Sequence, residues 1–303
     1  MPPYYRPSRM LAAAATATVL AAGVLLPATA DAADPLLPIP GGTTPSQGAE
    51  PQQAARRPTA FNFKLATFNI LGSQHTAGPG GYGPGTHRAR ITARMIKHKN
   101  VDVIGMQEVQ TDQYRVLHNR LDHYRIWPGT RLGNQGIRLQ IAWREHQFKL
   151  LRTGTITTRF DHQSRPVPWV KLKNRSTGRK MYVVDIHNSP QGEEAERDSA
   201  TRAEIRLINR LRQDHKPVFV VGDMNEKTEW FCKVAGHTDV RSANGGHAGP
   251  DRCSPPQRRL RIDWLMGGRR IDFSHYREDD GGQVRQASDH EFLHTRVHVR
   301  SPR

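Results

Sequence analysis

From residue 61 onward the apolar side chains recur with two distinct periods. Phe61–Phe68 (FNFKLATF) alternates apolar and polar positions and ends at Asn69, the two-residue period of a strand with one buried face. Thr86–Lys97 spaces Ile91, Met95 and Ile96 helically behind a Thr86 N-cap candidate. A short apolar strand, Val101–Met106, then runs into Gln107-Glu108, and an amphipathic helix is predicted from Asp112 to Leu121. Arg138–Arg144 and Phe148–Leu151 read as strands. Trp169–Lys173 and Lys180–His187 form a predicted hairpin closed by Asn174–Arg179. Glu193–Arg212 carries the longest helical pattern, with Ala203, Leu207, Ile208 and Leu211 on one side. Val218–Val221 is a buried strand opening into Gly222-Asp223-Met224-Asn225. The apolar run Leu260–Met266 contains one acid, Asp263, and Phe292–Val299 is a last alternating strand after Ser288-Asp289-His290.

Strands outnumber helices, hairpins mix with helical crossovers, and polar residues gather where strands end. This predicts a mixed α and β domain with sheets packed face to face and helices outside. Loops at one end of such a scaffold are the usual place for a site.

The first 60 residues follow a different pattern. Arg6 and Arg9 precede an uncharged apolar run, Leu11–Leu26, and two small-x-small cleavage patterns end at Ala30 and Ala32. Residues 1–32 therefore read as a Sec-type export signal, too short in its apolar run to span a membrane. No Arg-Arg pair precedes the run. Residues 33–60, rich in Pro, Gly, Ala, Thr and Gln, read as a flexible linker, because they offer too little apolar surface to offset the entropy of ordering. The folded domain is expected over 61–303, in a secreted, monomeric protein with no integral membrane segment.

Lys and Arg total 45 against 28 acids, a formal charge of +17 in 303 residues. Such an excess favours an anionic partner, nucleic acid or another polyanion, although Arg-rich secreted proteins share it without binding one. Two cysteines, Cys232 and Cys253, in an exported chain point to one disulfide; a pair of free thiols is the other state.

Candidate chemistry sits at the strand ends: Asn69, Glu108, His187, Asp223 with Asn225, Asp263, and Asp289 with His290. Each has a plain structural reading as a turn residue, cap or solvated acid. Asp263 differs, because a carboxylate inside an apolar run is costly without a partner. Histidine is the natural partner, which makes Asp263 a candidate orienter for a catalytic imidazole.

Taken in order, Ala-Thr-Phe-Asn69, Val-Ile-Gly-Met-Gln-Glu108, Val-Val-Asp-Ile-His187-Asn188, Val-Gly-Asp223-Met-Asn225, Arg-Ile-Asp263-Trp and Ser-Asp289-His290 resemble the endonuclease/exonuclease/phosphatase superfamily. The resemblance covers roughly Phe61 to Arg300. It implies an α+β fold, a four-layer αββα sandwich, and metal-dependent phosphoester cleavage, usually with Mg²⁺ and with Mn²⁺ or Ca²⁺ as alternatives. By the same resemblance Glu108 is the main metal ligand, with Asn69 and Asp289 beside the metal. Asp223 positions or deprotonates water. Asn225 holds water or phosphate, and His187 and Asn188 contact the phosphate. His290 acts as general base or transition-state stabiliser, oriented by Asp263. Hard Mg²⁺ suits such carboxylate oxygens, and no zinc-type histidine spacing is present.

One departure is informative. Abasic-site repair members carry a Tyr-x-Pro-Asn segment, whereas this chain has His187-Asn188-Ser189-Pro190, closer to deoxyribonuclease- and sphingomyelinase-like members. The leading expectation is an extracellular nuclease. The alternative is a sphingomyelinase-type lipid phosphodiesterase or a phosphatase on a small phosphoester, and a non-enzymatic binding relative is a third class. The order of residues does not choose DNA or RNA, nor endo or exo cleavage.

Overall fold

A computed structural model of the chain describes residues 59–76, 81–249, 251–257 and 262–301. All of them fall in one compact unit, 53–303. The expected export signal, and the linker apart from residues 59 and 60, lie outside the described residues. In chain order the elements are β1 (Phe61–Asn69), α1 (Gly85–His98), β2 (Val103–Gln107), α2 (Thr111–Arg120), β3 (Tyr124–Trp127), α3 (Gly133–Gly136), β4 (Leu139–Arg144), β5 (Phe148–Phe160), β6 (Gln163–Asn174), β7 (Lys180–His187) and α4 (Glu194–Arg212). They continue with β8 (Val218–Asp223), α5 (Thr228–His237), β9 (Val240–Ser242), β10 (His247–Ala248), β11 (Cys253–Ser254), β12 (Asp263–Gly268), β13 (Ile271–Asp279), α6 (Gln283–Ala287) and β14 (Phe292–Val299).

Two six-stranded sheets result, ordered β13-β14-β1-β2-β4-β3 and β5-β6-β7-β8-β12-β9. Each has one parallel pair, β1/β2 and β7/β8, and is otherwise antiparallel. The two-residue period assigns the layers. Phe61, Phe63 and Leu65 of β1 meet Phe219 and Val221 of β8 between the sheets. Ala66 and Phe68 pack outward with Ile91, Met95 and Ile96 of α1. Val218 and Val220 pack outward with Leu207, Ile208 and Leu211 of α4 and Trp230 of α5. The layers are α, β, β, α, as expected.

Two glycines let the chains approach closely enough for this packing. Gly222 has φ +142°, and a Cβ there would lie 2.0 Å from the Ile186 carbonyl oxygen of the neighbouring parallel strand. A Cβ on Gly105 would lie 2.4 Å from Val221 and 2.5 Å from Asp185 of the opposite sheet. Asp185 faces inward from β7 and accepts a 2.6 Å hydrogen bond from Gln107 Nε2 of β2, a polar tie between the sheets. Burial holds its carboxyl well above the usual range.

Besides β3 and α5, which the sequence pattern leaves unassigned, three regions depart from expectation. Helix α1 begins at Gly85, with Pro84 at the cap position, so Thr86 lies inside the first turn and caps nothing. The β5–β6 hairpin is far longer than Phe148–Leu151 and Trp169–Lys173. Its residues 152–168 are Thr- and Arg-rich and run beyond the reach of β7, and the inward positions include Thr158 and Arg165, so no apolar alternation marks them. The hairpin closes at Asp161-His162, both left-handed (φ +47° and +61°), a two-residue turn without the Asn-Gly or Asp-Gly signal that advertises one. Strand β13, polar and at a sheet edge, was also hidden by exposure. Cys232 and Cys253 form the expected disulfide, with Cα atoms 5.6 Å apart, tying α5 to β11. Among the described residues no helix is long and apolar enough to cross a membrane.

Candidate active site

Strand direction gathers the predicted groups at one end of the sandwich. β1, β2, β7 and β8 end there, while β12 and β14, antiparallel to β8 and β1, begin there. Register then aims the side chains. Asn69 shares the inward parity of Phe61, Phe63 and Leu65, and His187 that of Met181 and Val183. Asp223 follows Val221 by two and pairs directly with Asp263 across the sheet. Two buried carboxylates thus stand side by side, and their repulsion needs a cation.

His290 supplies it. Its Nδ1 lies 2.8 Å from Asp263 Oδ2, and its Nε2 lies 3.6 Å from Asp223 Oδ2. Burial opposes charge on this imidazole, but Asp263, by charge and hydrogen bond, and then Asp223 outweigh it and hold the pKa well above the usual value. The Asp223 carboxyl is pushed up to about 7 by burial and by Asp263, with His290 opposing. His187 approaches the same Asp223 oxygen with Nε2 at 3.4 Å. Burial and the positive charges of Arg165 and His290 keep its pKa well below the ordinary value, so it is neutral.

Asn69 is the connecting amide. Its Nδ2 donates to Glu108 Oε1 (2.9 Å) and Asp223 Oδ2 (3.0 Å), while its Oδ1 accepts from the Leu71 amide (3.1 Å). Asn69 therefore turns its nitrogen, not its oxygen, toward the carboxylates. Glu108 Oε2 accepts from the Gly72 amide at 3.0 Å and lies 3.5 Å from His75 Nε2. The buried Arg88 guanidinium holds this turn by binding the carbonyls of Ile70, Leu71 and Gly72. Glu108 and Asn225 both adopt left-handed backbone (φ +61° and +51°), a conformation that costs free energy in a non-glycine residue and collects at functional sites. The Asn225 amide donates to Asp223 Oδ1 (2.9 Å), and its Nδ2 donates to the Asn188 carbonyl (2.8 Å). Ser288 Oγ donates to the Asn69 carbonyl at 2.7 Å and accepts from the His290 amide at 3.2 Å, fixing the His290 loop to β1.

Glu108, His187, Asp223, Asn225 and His290 line one cavity of about 400 Å³. A larger one, about 640 Å³ and lined by Tyr114, Trp127, Trp143 and their neighbours, contains none of these groups, so the chemistry belongs to the smaller. Four predicted residues lie outside this lining, of which Asn69 and Asp263 still hydrogen-bond groups that line it. Asn188 is fully buried and absent from the cavity lining; its main chain bonds Asp223 and Asn225 instead. That placement argues against its expected contact with phosphate and makes it a positioning residue. Asp289 is exposed and outside the lining. Sequence reasoning missed His75, Arg138, Phe160, Asp161 and Arg165, all of which line the cavity. Three of them, Phe160, Asp161 and Arg165, sit at the end of the β5–β6 hairpin, whose length the sequence pattern does not mark.

The donor set suits a divalent cation. Glu108 offers a hard carboxylate at 19% side-chain exposure, with only an amide and a distant imidazole on its outer oxygen. Asp223, Asp263 and His290 also present atoms within 4.8 Å of one another. Because Asp263 and His290 are already hydrogen-bonded, that trio is better described as an acid–imidazole relay than as a ligand set.

The sequence model of the Endonuclease/Exonuclease/phosphatase family matches residues 66–290. A search of curated proteins returned no significant match. Among solved structures, a family protein from Bacteroides thetaiotaomicron superposes with a TM-score of 0.64 at 17% identity, covering 80% of this chain and 99% of its own. TDP2 from D. rerio, solved with a single-strand DNA product, gives a TM-score of 0.62 at 17% identity over 78% of this chain and 98% of its own. A mannosyl-6-phosphatase from Bacteroides thetaiotaomicron VPI-5482 gives 0.58 at 17% identity over 78% and 98%. At these identities the likeness is one of fold, and the neighbours act on different phosphoesters. Members of the family depend on divalent metal, and with its model matched across residues 66–290, from the middle of β1 to His290, this chain belongs to the endonuclease/exonuclease/phosphatase family of phosphoester hydrolases.

Proposed function

We infer that the protein is a secreted, Mg²⁺-dependent nuclease that hydrolyses nucleic-acid phosphodiesters by attack of water. The observation that carries this reading is the Asp263–His290–Asp223–His187 array opening, with Glu108 and Asn225, onto one cavity. A net charge of +17 supports a polyanionic substrate. The apolar run Leu11–Leu26 before two small-x-small patterns supports export.

Glu108, steadied by Asn69, would hold the metal, whose chemistry is to draw developing charge from phosphoryl oxygens. The chain's own groups divide the proton work. Asp223, with a pKa near 7, accepts the proton of water while the Asn225 amide and Asn69 hold its carboxylate in place. His290 keeps its proton at neutral pH and is placed to donate from Nε2 to a phosphoryl or leaving oxygen, with Asp263 fixing the ring. Neutral His187 offers a hydrogen bond without competing for charge. The acid limb of the rate–pH profile is expected to follow Asp223, rising toward neutrality, and the alkaline limb to follow loss of the His290 proton.

The test is a substrate panel: plasmid DNA, RNA, sphingomyelin and a phosphomonoester, each with Mg²⁺ and with EDTA. Metal-dependent cleavage of DNA or RNA is expected. Hydrolysis of sphingomyelin or the monoester alone would replace the nuclease reading with the alternative.

A further inference from the structure

One wall of the catalytic cavity carries two arginines whose buried Nε atoms have no hydrogen-bond partner among the described residues. Arg165, just past the hairpin turn on β6, is only 8% exposed and lines the cavity. Its guanidinium lies 3.3 Å from the centroid of the Phe160 ring, and its Nη1 is 3.5 Å from His187 Nδ1. Its Nε is buried with no partner, and it makes no ion pair among the described residues. Arg138, immediately before β4, lines the same cavity with its Nε also buried and unpartnered. Glu108 and Asp161 act on Arg165 only through space, while burial and the charge of Arg138 lower its pKa to about 10. Arg165 stays charged at neutral pH, and the charge of Arg138 presses on it. Buried charges are normally paired, and a guanidinium fork matches phosphate oxygens in particular.

The geometry points to an anion subsite formed by Arg138 and Arg165, beside the hydrolytic centre, that takes a second phosphoryl group of the substrate. A second group, rather than the one attacked, follows from the place of His187. Its Nε2 faces Asp223 and its Nδ1 faces Arg165, so the imidazole stands between the carboxylate that handles water and the guanidinium. Phe160, 4.6 Å from His187 and stacked on Arg165, walls off the same side. The subsite rests on reading the cavity as a phosphoester site and narrows it. A strand with phosphates on successive residues, or another substrate bearing two phosphoryl groups, satisfies both centres. A phosphocholine head group would bring a cation against two arginines.

Calorimetric titration in EDTA with orthophosphate and with pyrophosphate tests the subsite without turnover. Wild type is expected to bind pyrophosphate at least ~10-fold more tightly, and Arg165→Gln or Arg138→Gln to bring the ratio within about threefold of unity, the scale of a lost charge-assisted contact. Arg165→Lys should restore part of the preference, and half-buried Arg138 provides a variant that does not disturb the packing at Arg165. Arg131→Gln, on the other cavity, should leave the ratio as in wild type and so controls for overall charge. No preference in wild type, an unchanged ratio in both arginine variants, or equal loss for the two anions would overturn the subsite; equal loss would put the arginines on the attacked phosphate. If the preference is present but no nucleic acid is cleaved, the subsite stands and the nuclease reading falls. Cleavage without the preference means the reverse.

Discussion

The two walls of the catalytic cavity are built by opposite means. The acid–imidazole wall stands on the ends of central strands β1, β7, β8 and β12, where register fixes each side chain and Asp223, Asp263 and His290 balance one another's charge. The arginine wall hangs on the far end of the β5–β6 hairpin and on Arg138, and both arginines keep a buried Nε without a hydrogen-bond partner. The acid–imidazole groups are placed by paired central strands, whereas Arg165 and Phe160 sit at the end of a two-stranded ribbon. The two walls meet at His187, whose Nδ1 lies 3.5 Å from Arg165 Nη1.

The contrast can be broken in three places. The largest effect is expected from Asp263→Asn, which removes the buried partner that orients His290 and keeps it charged. By analogy with other acid–histidine pairs, kcat should fall by about 10²–10⁴ with little change in pyrophosphate affinity. Steady-state kinetics beside the titration would check this, and a loss of affinity matching the loss of rate would merge the two walls into one.

Next is the buried acid behind the catalytic wall. Glu204 of α4 accepts a 2.9 Å bond from Trp230 Nε1, and burial pushes its pKa up to about 7. A raised folded-state value means that the folded protein binds this proton more tightly than the unfolded chain. Stability from it is complete below 4.5 and is lost as pH rises through about 7. Glu204→Gln should therefore match wild type near pH 4.5 and exceed it at pH 8 by about 3 kcal/mol, in proportion to the shift. Urea melts at the two pH values decide it, and parallel curves would contradict the assignment.

The smallest effect is expected from Phe160→Leu, which removes the ring under Arg165. A loss of roughly 3–10-fold in pyrophosphate affinity corresponds to the usual worth of a cation–ring contact, with orthophosphate binding spared. Equal weakening for both anions would show that Phe160 shapes the whole cavity.

The same contrast explains what could be read before the structure. The central strands were legible because burial on both faces writes continuous apolar runs such as Val218–Val221, and the inward parity of Asn69, His187, Asp223 and Asp263 follows from the two-residue period of an extended chain. Asp263 stood out because it interrupts an apolar run, and its partner His290 is where the family resemblance put it. The hairpin from 152 to 168 leaves no such trace, since its inward positions include Thr158 and Arg165 and the turn uses Asp-His in place of a glycine signal. Arg165 and Phe160 therefore gave no sign of a role. Asn188 misled for another reason: adjacency to His187 in sequence means opposite faces in an extended chain, and its side chain points away from the cavity lining. Arg88, which fixes the turn beside Glu108, gave no signal because its partners are carbonyls from residues 70–72, known only once α1 packs on β1.

Hydrolysis of nucleic-acid phosphodiesters by the strand-end array with a bound divalent ion, as proposed above, is tested by the rate at which the purified protein nicks supercoiled plasmid in Mg²⁺, in EDTA, and in Mg²⁺ with His290→Ala. Nicking is expected in the first case, none in EDTA, and a rate lowered by about 10²–10⁴ in the variant with an unaltered far-ultraviolet spectrum. Nicking that persists in EDTA, or that survives His290→Ala within about threefold, would contradict it.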